Sequence, residues 1–355
     1  FLRSLHLPAW WAQLIEQVGS GWLVFTLYMV IALLLFDLLK CCHRPVPYSF
    51  QISLFGVLCL LAYGNYHYMH PSVKEIDRPI AKAIQGEERQ LKVVAISDIH
   101  LGYATNKRML SHYVQQINAL RPDLILIGGD LVDHDITPLW EEHMQEELSE
   151  LIATYGIYMV PGNHDYYSGI ANVERFLGET PIVLLRDSVV TLPNGVQLVG
   201  RDDRHNTRRK PLAELTASLA TDRPILLIDH QPYDLAKTAE AGVDLQFSGH
   251  THRGQVWPMS LLVDRLFELS YGSKEIGQSL IYNEEVAKEK DNQLEDQQAH
   301  EGPAIAPFGG QRLIASIANV GRQQQLKEDG LQKDLHETGW NVRLNTTISL
   351  SVPMR

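Results

Sequence analysis

Five short apolar runs between Leu91 and Phe247 each end in side chains able to bind a cation or move a proton. Leu91 to Ser97 leads into Asp98-Ile99-His100, Asp123 to Ile127 into Gly128-Gly129-Asp130, and Gly156 to Val160 into Gly162-Asn163-His164-Asp165. Pro224 to Ile228 leads into Asp229-His230, and Val243 to Phe247 into Ser248-Gly249-His250-Thr251-His252. The runs are short, rich in β-branched residues and stopped by polar ones, which predicts buried strands. Asn106 to Leu120 and Thr137 to Tyr155 have helical periodicity, and a further helix separates the last two runs. Pro193-Asn194-Gly195 joins two short apolar runs as a hairpin. Strand–helix alternation with an embedded hairpin predicts an α/β fold of mixed sheets covered by helices. Ligands of such sheets bind outside the carboxyl ends of the strands, so the five strand ends deliver oxygen and imidazole donors to one edge. The neighbouring glycines let the backbone turn sharply there.

Singly, the fragments are ordinary. An Asp-x-His is usually a pair of solvated loop residues, and a Gly-Asp is usually a turn. His250 and His252, on an extended segment, would project to one side because strand side chains repeat every two residues. The ordered conjunction, each fragment directly after a strand, is what coincidence explains poorly. It resembles the calcineurin-like metallophosphoesterase family, whose pattern is D-x-H, G-D, G-N-H-D/E, a solitary His and G-H-x-H. These stand here as Asp98/His100, Gly129/Asp130, Gly162 to Asp165, His230 and Gly249 to His252, over residues 91–282. Ser97 to Gly102, Gly200-Arg201-Asp202-Asp203 and a hydrophobic N-terminal region look like the bacterial membrane-associated phosphodiesterase branch. The intracellular phosphoprotein phosphatases are a poorer match.

The resemblance implies a four-layer sandwich, with two mixed β-sheets flanked by helices, and two divalent metal ions bridged by Asp130. Asp98, His100 and His252 would complete one site, and Asn163, His230 and His250 the other. Carboxylate, amide and imidazole donors without thiolate suit Mn²⁺, Fe or Zn²⁺ alike. Two cations about 4 Å apart need a shared anion, and water between them becomes a hydroxide nucleophile near neutral pH. The reaction expected is hydrolysis of a phosphodiester or pyrophosphate bond, with His164 as the acid assisting the leaving group. Asp165 either orients His164 or caps the next segment. Arg201 is a candidate for gripping a phosphate in bidentate fashion, against the plainer reading of a solvated charged loop. Arg208-Arg209-Lys210 reads as surface or as a contact with anionic headgroups. His112, His134, His143 and His205 belong to no partner pattern.

Upstream, Trp22 to Phe36 is apolar except for Thr26, and Tyr48 to Tyr63 forms a second, less pure run. About 20 apolar residues cross a bilayer as a helix, which predicts two transmembrane helices at about 22–39 and 48–66 within an anchor of residues 1–70. Trp10, Trp11, Trp22, Tyr63, Tyr66 and Tyr68 crowd the ends of the runs, as in an aromatic belt. Lys40 and Arg44 in the linker make that loop cytoplasmic by the positive-inside tendency, placing the later domain outside a bacterial inner or plasma membrane. Cys41, Cys42 and Cys59 offer no disulfide framework.

The chain of 355 residues carries a net charge of −11, which argues against nucleic acid as a partner. A phosphorylated small molecule or a lipid-linked substrate is compatible with it, because bound cations reverse the local field. The alternative reading is a non-catalytic scaffold or binding module of the same fold. Such a module would be expected to lack ligands, and every position is filled. Residues 90–282 form the expected phosphoesterase domain and 283–355 a polar tail, with brief apolar runs at 313–320 and 345–352. In the family branch a closing strand runs on after G-H-x-H into a Ser-Ser-Gly type of segment. Here Ser279 to Tyr282 begins such a strand and gives way to Asn283-Glu284-Glu285.

Overall fold

The computed structural model describes residues 9–69, 73–82, 84, 90–283 and 342–351. Two long helices come first, α1 (Ala9–Cys41) and α2 (Ser49–Met69). Within them Gly21–Cys41 and Ser49–Tyr68 are long and apolar enough to cross a membrane. Twenty-one residues at 1.5 Å each make about 31 Å, the depth of a hydrocarbon core. Core helices of soluble proteins pass the same test, but they are mostly buried. Here only 6% and 11% of the two windows are buried. Leu23 and Phe55 are each 72% exposed, so the apolar surface faces outward.

The last turn of α2 is different. Tyr68 is buried in the core of the following domain, and its hydroxyl lies 3.5 Å from Thr105 Oγ1 and 3.8 Å from Met109 Sδ. The end of the helical hairpin is thereby keyed to the loop that follows the first donor-bearing strand.

The domain continues with β1 (Glu75–Ile80), β2 (Gln90–Ser97), α3 (Lys107–Ala119), β3 (Leu124–Ile127), α4 (Thr137–Glu141), α5 (Met144–Ser149) and β4 (Ile157–Met159). Next come α6 (Asn163–Tyr167), α7 (Ile170–Leu177), β5 (Ile182–Leu184), β6 (Ser188–Thr191), β7 (Gln197–Gly200), α8 (Leu212–Thr216) and β8 (Ile225–Ile228). The described part closes with α9 (Leu235–Glu240), β9 (Leu245–Ser248), α10 (Met259–Leu266), β10 (Gly272–Ile276), β11 (Ser279–Asn283) and β12 (Val342–Ser351). One sheet runs β1-β12-β2-β3-β4-β5 and the other β10-β11-β9-β8-β7-β6. The central pairings are parallel, while β1, β10 and β6 are antiparallel edges. Both sheets are therefore mixed, as expected.

Alternation along the strands builds the layers. Leu91, Val93 and Ala95 of β2 and Leu124 and Leu126 of β3 meet Leu226, Ile228, Leu245 and Phe247 of the second sheet. The opposite faces, Val94, Ile96, Ile125 and Ile127, pack under Leu110, Val114 and Ile117 of α3 and Phe176 of α7. Val199, Ile225 and Leu227 are covered by Leu212 and Leu215 of α8. The order is helix, sheet, sheet, helix. Strands buried on both faces read as unbroken apolar runs, which is why β2, β3, β8 and β9 stand out in the sequence.

The helix expected over 137–155 is broken. His143 adopts a left-handed conformation (φ 53°) between α4 and α5. Leu139 and Met144 are both fully buried, yet on a continuous helix they would point about 140° apart. The break aims both inward. The segment 283–355 contributes β12, whose backbone pairs with β1 and β2. The expected polar stretch after Asn283 and the apolar run at 313–320 lie outside the described residues.

Candidate binuclear metal centre

Register fixes the edge. Ile96 pairs with Ile127 and Ile127 with Met159, so β2, β3 and β4 end level and release Asp98, Asp130 and Asn163 side by side. Ile228 pairs with Phe247 in the other sheet, releasing His230 and His250 together. Backbone bonds tie the loops: Asp98 N–H donates to Gly129 O (3.0 Å), His100 N–H to Asp130 O (3.0 Å) and Gly249 N–H to His230 O (2.9 Å).

The turns are tight. Asp98, His100, Asp130, His250 and His252 all have positive φ, between 44° and 75°. Such conformations cost on the order of 1–3 kcal/mol each and gather at functional sites. Two glycines leave the room required: a Cβ on Gly162 would fall 2.1 Å from Asp130 Oδ1, and one on Gly249 would fall 2.1 Å from Asp98 Oδ2.

Among the described residues three groups of donors result, the third (His100, Asp133 and His164) sharing His100 with the first. Asp98, His100 and His252 offer ligand atoms within 4.8 Å of one another, and so do Asp130, His230 and His250. In the first group His252 Nε2 is 3.1 Å from Asp98 Oδ1, and His100 Nε2 faces His252 Nε2 at 3.4 Å. In the second, Asn163 Oδ1 lies 2.7 Å from His250 Nδ1 and 3.1 Å from His230 Nε2. Asp130 stands between them, with Oδ2 3.8 Å from His100 Nε2 and 3.3 Å from His230 Nε2. All seven sequence-predicted donors converge here.

The donor set fits divalent cations. Asp98 and Asp130 are essentially buried, and buried carboxylates need a counter-charge. Without a cation that charge sits on His230. Burial opposes it, but the Asp130 and Asp98 carboxylates raise the His230 pKa to about 10. His250 is pushed down to about 4 by burial and by the neighbouring His230 charge, so it is neutral and its lone pair is available. Binding a cation would displace the His230 proton. His230 Nδ1 lies 2.8 Å from the Gly128 carbonyl. A carbonyl only accepts, so Nδ1 carries the hydrogen and Nε2 faces the site.

His164 sits beside the first group, its ring centroid 4.5 Å from that of His100. Its backbone N–H donates to Asp130 Oδ1 (2.8 Å), and Nδ1 donates to the Asp133 carbonyl (3.0 Å). Asp133 Oδ1 lies 3.2 Å from His164 Nδ1 and 3.3 Å from His100 Nδ1. Burial works against the Asp133 charge, but the two imidazoles outweigh it and hold the carboxyl below its ordinary range. Burial likewise opposes a charge on His164, and Asp133 with Asp130 outweighs it, raising that pKa.

Sequence reasoning missed Asp133. Its one signal was a second acid three residues after Asp130, in Asp130-Leu131-Val132-Asp133. Asp165 does not reach the His164 ring. Its carboxylate accepts from Val132 N–H (3.0 Å) and Gly162 N–H (2.8 Å), which is the capping alternative. Burial and the Asp130 charge raise its pKa to about 7. Arg201 directs its guanidinium to Asp229 (3.1 Å) and to the Lys210 carbonyl (3.0 Å), so a phosphate would compete with internal partners. His134 and His205, set aside in the sequence, belong to the surroundings: His134 lies 4.5 Å from the His164 ring, and His205 lies 5.1 Å from Tyr167.

A two-sheet α/β sandwich with aspartate, asparagine and histidine donors gathered at its strand ends is the metallophosphoesterase class of fold. Residues 91–254 match the family model for calcineurin-like phosphoesterases. The chain carries a calcineurin-like metallophosphoesterase domain. An uncharacterized metallophosphoesterase of Helicobacter pylori (strain J99) is 34% identical over 215 residues, covering 58% of this chain and 56% of that protein. A transmembrane protein with metallophosphoesterase domain from Danio rerio is 30% identical over 229 residues, 59% of this chain and 51% of that one. An uncharacterized metallophosphoesterase of Aquifex aeolicus is 28% identical over 229 residues, 63% of this chain and 86% of that one. The chain spans about half the length of the Helicobacter and Danio relatives.

Proposed function

We propose that this protein is a membrane-anchored, two-metal hydrolase that cleaves a phosphodiester or pyrophosphate bond. The observation that carries the reading is the convergence of six donors from both sheets on the two sides of a seventh, Asp130. Asp98, His100 and His252 would hold one cation and Asn163, His230 and His250 the other, with Asp130 placed to serve both. Ions of the Mn²⁺, Fe or Zn²⁺ kind supply, when bound, a water of lowered pKa and a clamp on the phosphoryl oxygens.

The chain's own residues do the rest. Asp98 accepts the His250 backbone N–H at both oxygens (3.1 and 3.0 Å), locking the two donor groups to each other. His164, with Nδ1 committed to Asp133, has Nε2 left to deliver a proton to the leaving oxygen. Asp133 orients that ring and stabilises its charged form. Arg201 is the weaker candidate for a phosphate contact, because its partners are internal.

The two apolar helices and the Danio relative's transmembrane name support the anchor. Lys40 and Arg44 in the connecting loop favour a domain on the outer side of a bacterial plasma membrane. An anchored site suits a lipid-linked or nucleotide-linked phosphoester. The test is turnover of bis-p-nitrophenyl phosphate by the purified full chain. Turnover with Mn²⁺ that EDTA abolishes is expected, whereas loaded protein with no activity on phosphodiesters, diphosphates or monoesters would favour the scaffold reading.

A further inference from the structure

The segment after His252 exposes a dense apolar surface. Trp257, Met259, Leu261, Leu262 and Leu266 fall within ten residues, and each is about half exposed or more, Leu266 reaching 62%. No residue of α10 is buried. Single exposed leucines are ordinary, but a contiguous patch marks a contact surface.

A second observation says what covers it. Tyr68, in the last turn of α2, is held against Thr105 and Met109 beside the donor-bearing edge, and the His252 turn that leads into α10 lies on that same edge. Helices α1 and α2 pack together across the short linker 42–48, so the start of α1 and the end of α2 share one end of the hairpin. The domain follows α2 at that end. The α10 patch therefore faces the depth at which the spans leave the domain, where Trp22, Tyr63 and Tyr66 are also exposed. Tryptophan and tyrosine at that depth belong to the headgroup layer.

We propose that Trp257 and the outward face of α10 lie in the interfacial layer of the bilayer, as a third membrane contact that holds the donor-bearing edge against the lipid surface. The proposal rests on the anchored reading of α1 and α2. An amphipathic helix in that layer buries its apolar side about 5–10 Å deep. The contact is wired to the centre. The His252 turn packs on α10 through Gly254, where a Cβ would come within 2.8 Å of the Met259 backbone, and Phe267 stacks 5.8 Å from the His250 ring. An amphiphile's phosphate would thus reach the site with its tail still in the membrane.

The test uses the full chain in phosphatidylcholine vesicles, with Cys41, Cys42 and Cys59 replaced by serine and one fluorescent label at Leu262→Cys. Leu34→Cys, inside the first span, and Ser218→Cys are the references. Ser218 lies at the opposite edge, near Ala220, whose carbonyl bonds Gln197 at the start of β7. The expected result is quenching of the Leu262 label by shallow nitroxide lipids, with several-fold less quenching by iodide than at Ser218. A Leu262 label as open to iodide as Ser218, with the Leu34 label still quenched by deep nitroxide, would overturn the proposal and leave the anchor standing. Shielding from iodide that follows protein density rather than lipid nitroxide would assign the face to a second copy and equally overturn it. No lipid quenching at Leu34 would remove the anchored reading itself, and the proposal with it.

Discussion

The two donor groups on either side of Asp130 contain the same chemistry but are held in different ways. In the group with Asn163, His230 is fully buried and its Nδ1 is fixed by a backbone carbonyl, Gly128 O. In the group with Asp98, the Asp133 carboxylate faces His100 Nδ1 at 3.3 Å and His164 Nδ1 at 3.2 Å. One imidazole is oriented by a strand end that cannot titrate. The other faces a titratable side chain that also lies beside the proposed acid. On the proposed reading, metal holding and proton delivery would therefore meet on the His100 side.

Substitutions can break this contrast, beginning with the residue common to both groups. Asp130→Asn removes the shared anion, and metal analysis should find the pair of ions lost together with essentially all turnover. His164→Ala should keep both ions while slowing hydrolysis about 10²–10⁴-fold, the usual worth of a general acid. Asp133→Asn sharpens the comparison most. It should cost about 10–100-fold in activity or metal affinity, as partners of metal-binding histidines do. Titration with a chelator should show one ion released well before the other. Equal loosening of both ions would mean that the two groups are not held independently. The smallest effect on chemistry is expected from Asp165→Ala. It strands two buried backbone N–H groups and should lower stability by about 1–3 kcal/mol for each, read as a lower Tm with metal content unchanged.

The seven donors were legible because each follows a strand that is buried on both faces, and such strands announce themselves as apolar runs. How the donors divide between the groups was not legible from spacing. His250 and His252 look like same-side neighbours on an extended segment, yet left-handed backbone at both (φ 75° and 44°) sends them to opposite groups. Asp133 escaped because its reach depends on the path after Asp130, which the bridge between Leu101 and Val132 fixes. His134 and His205 gain their neighbours only in three dimensions. Strand β1, Glu-Ile-Asp-Arg-Pro-Ile, has no polar–apolar alternation and contains Pro79, and β12 lies far along the chain. Neither local signal survives without the sheet that receives them, since strand propensity reflects packing more than backbone preference.

Anomalous diffraction from crystals grown with Mn²⁺ addresses the centre directly. Two peaks about 3.5–4 Å apart, flanking the Asp130 carboxylate, are the expected result. A single peak, or ions bound away from Asp130, would contradict the binuclear account.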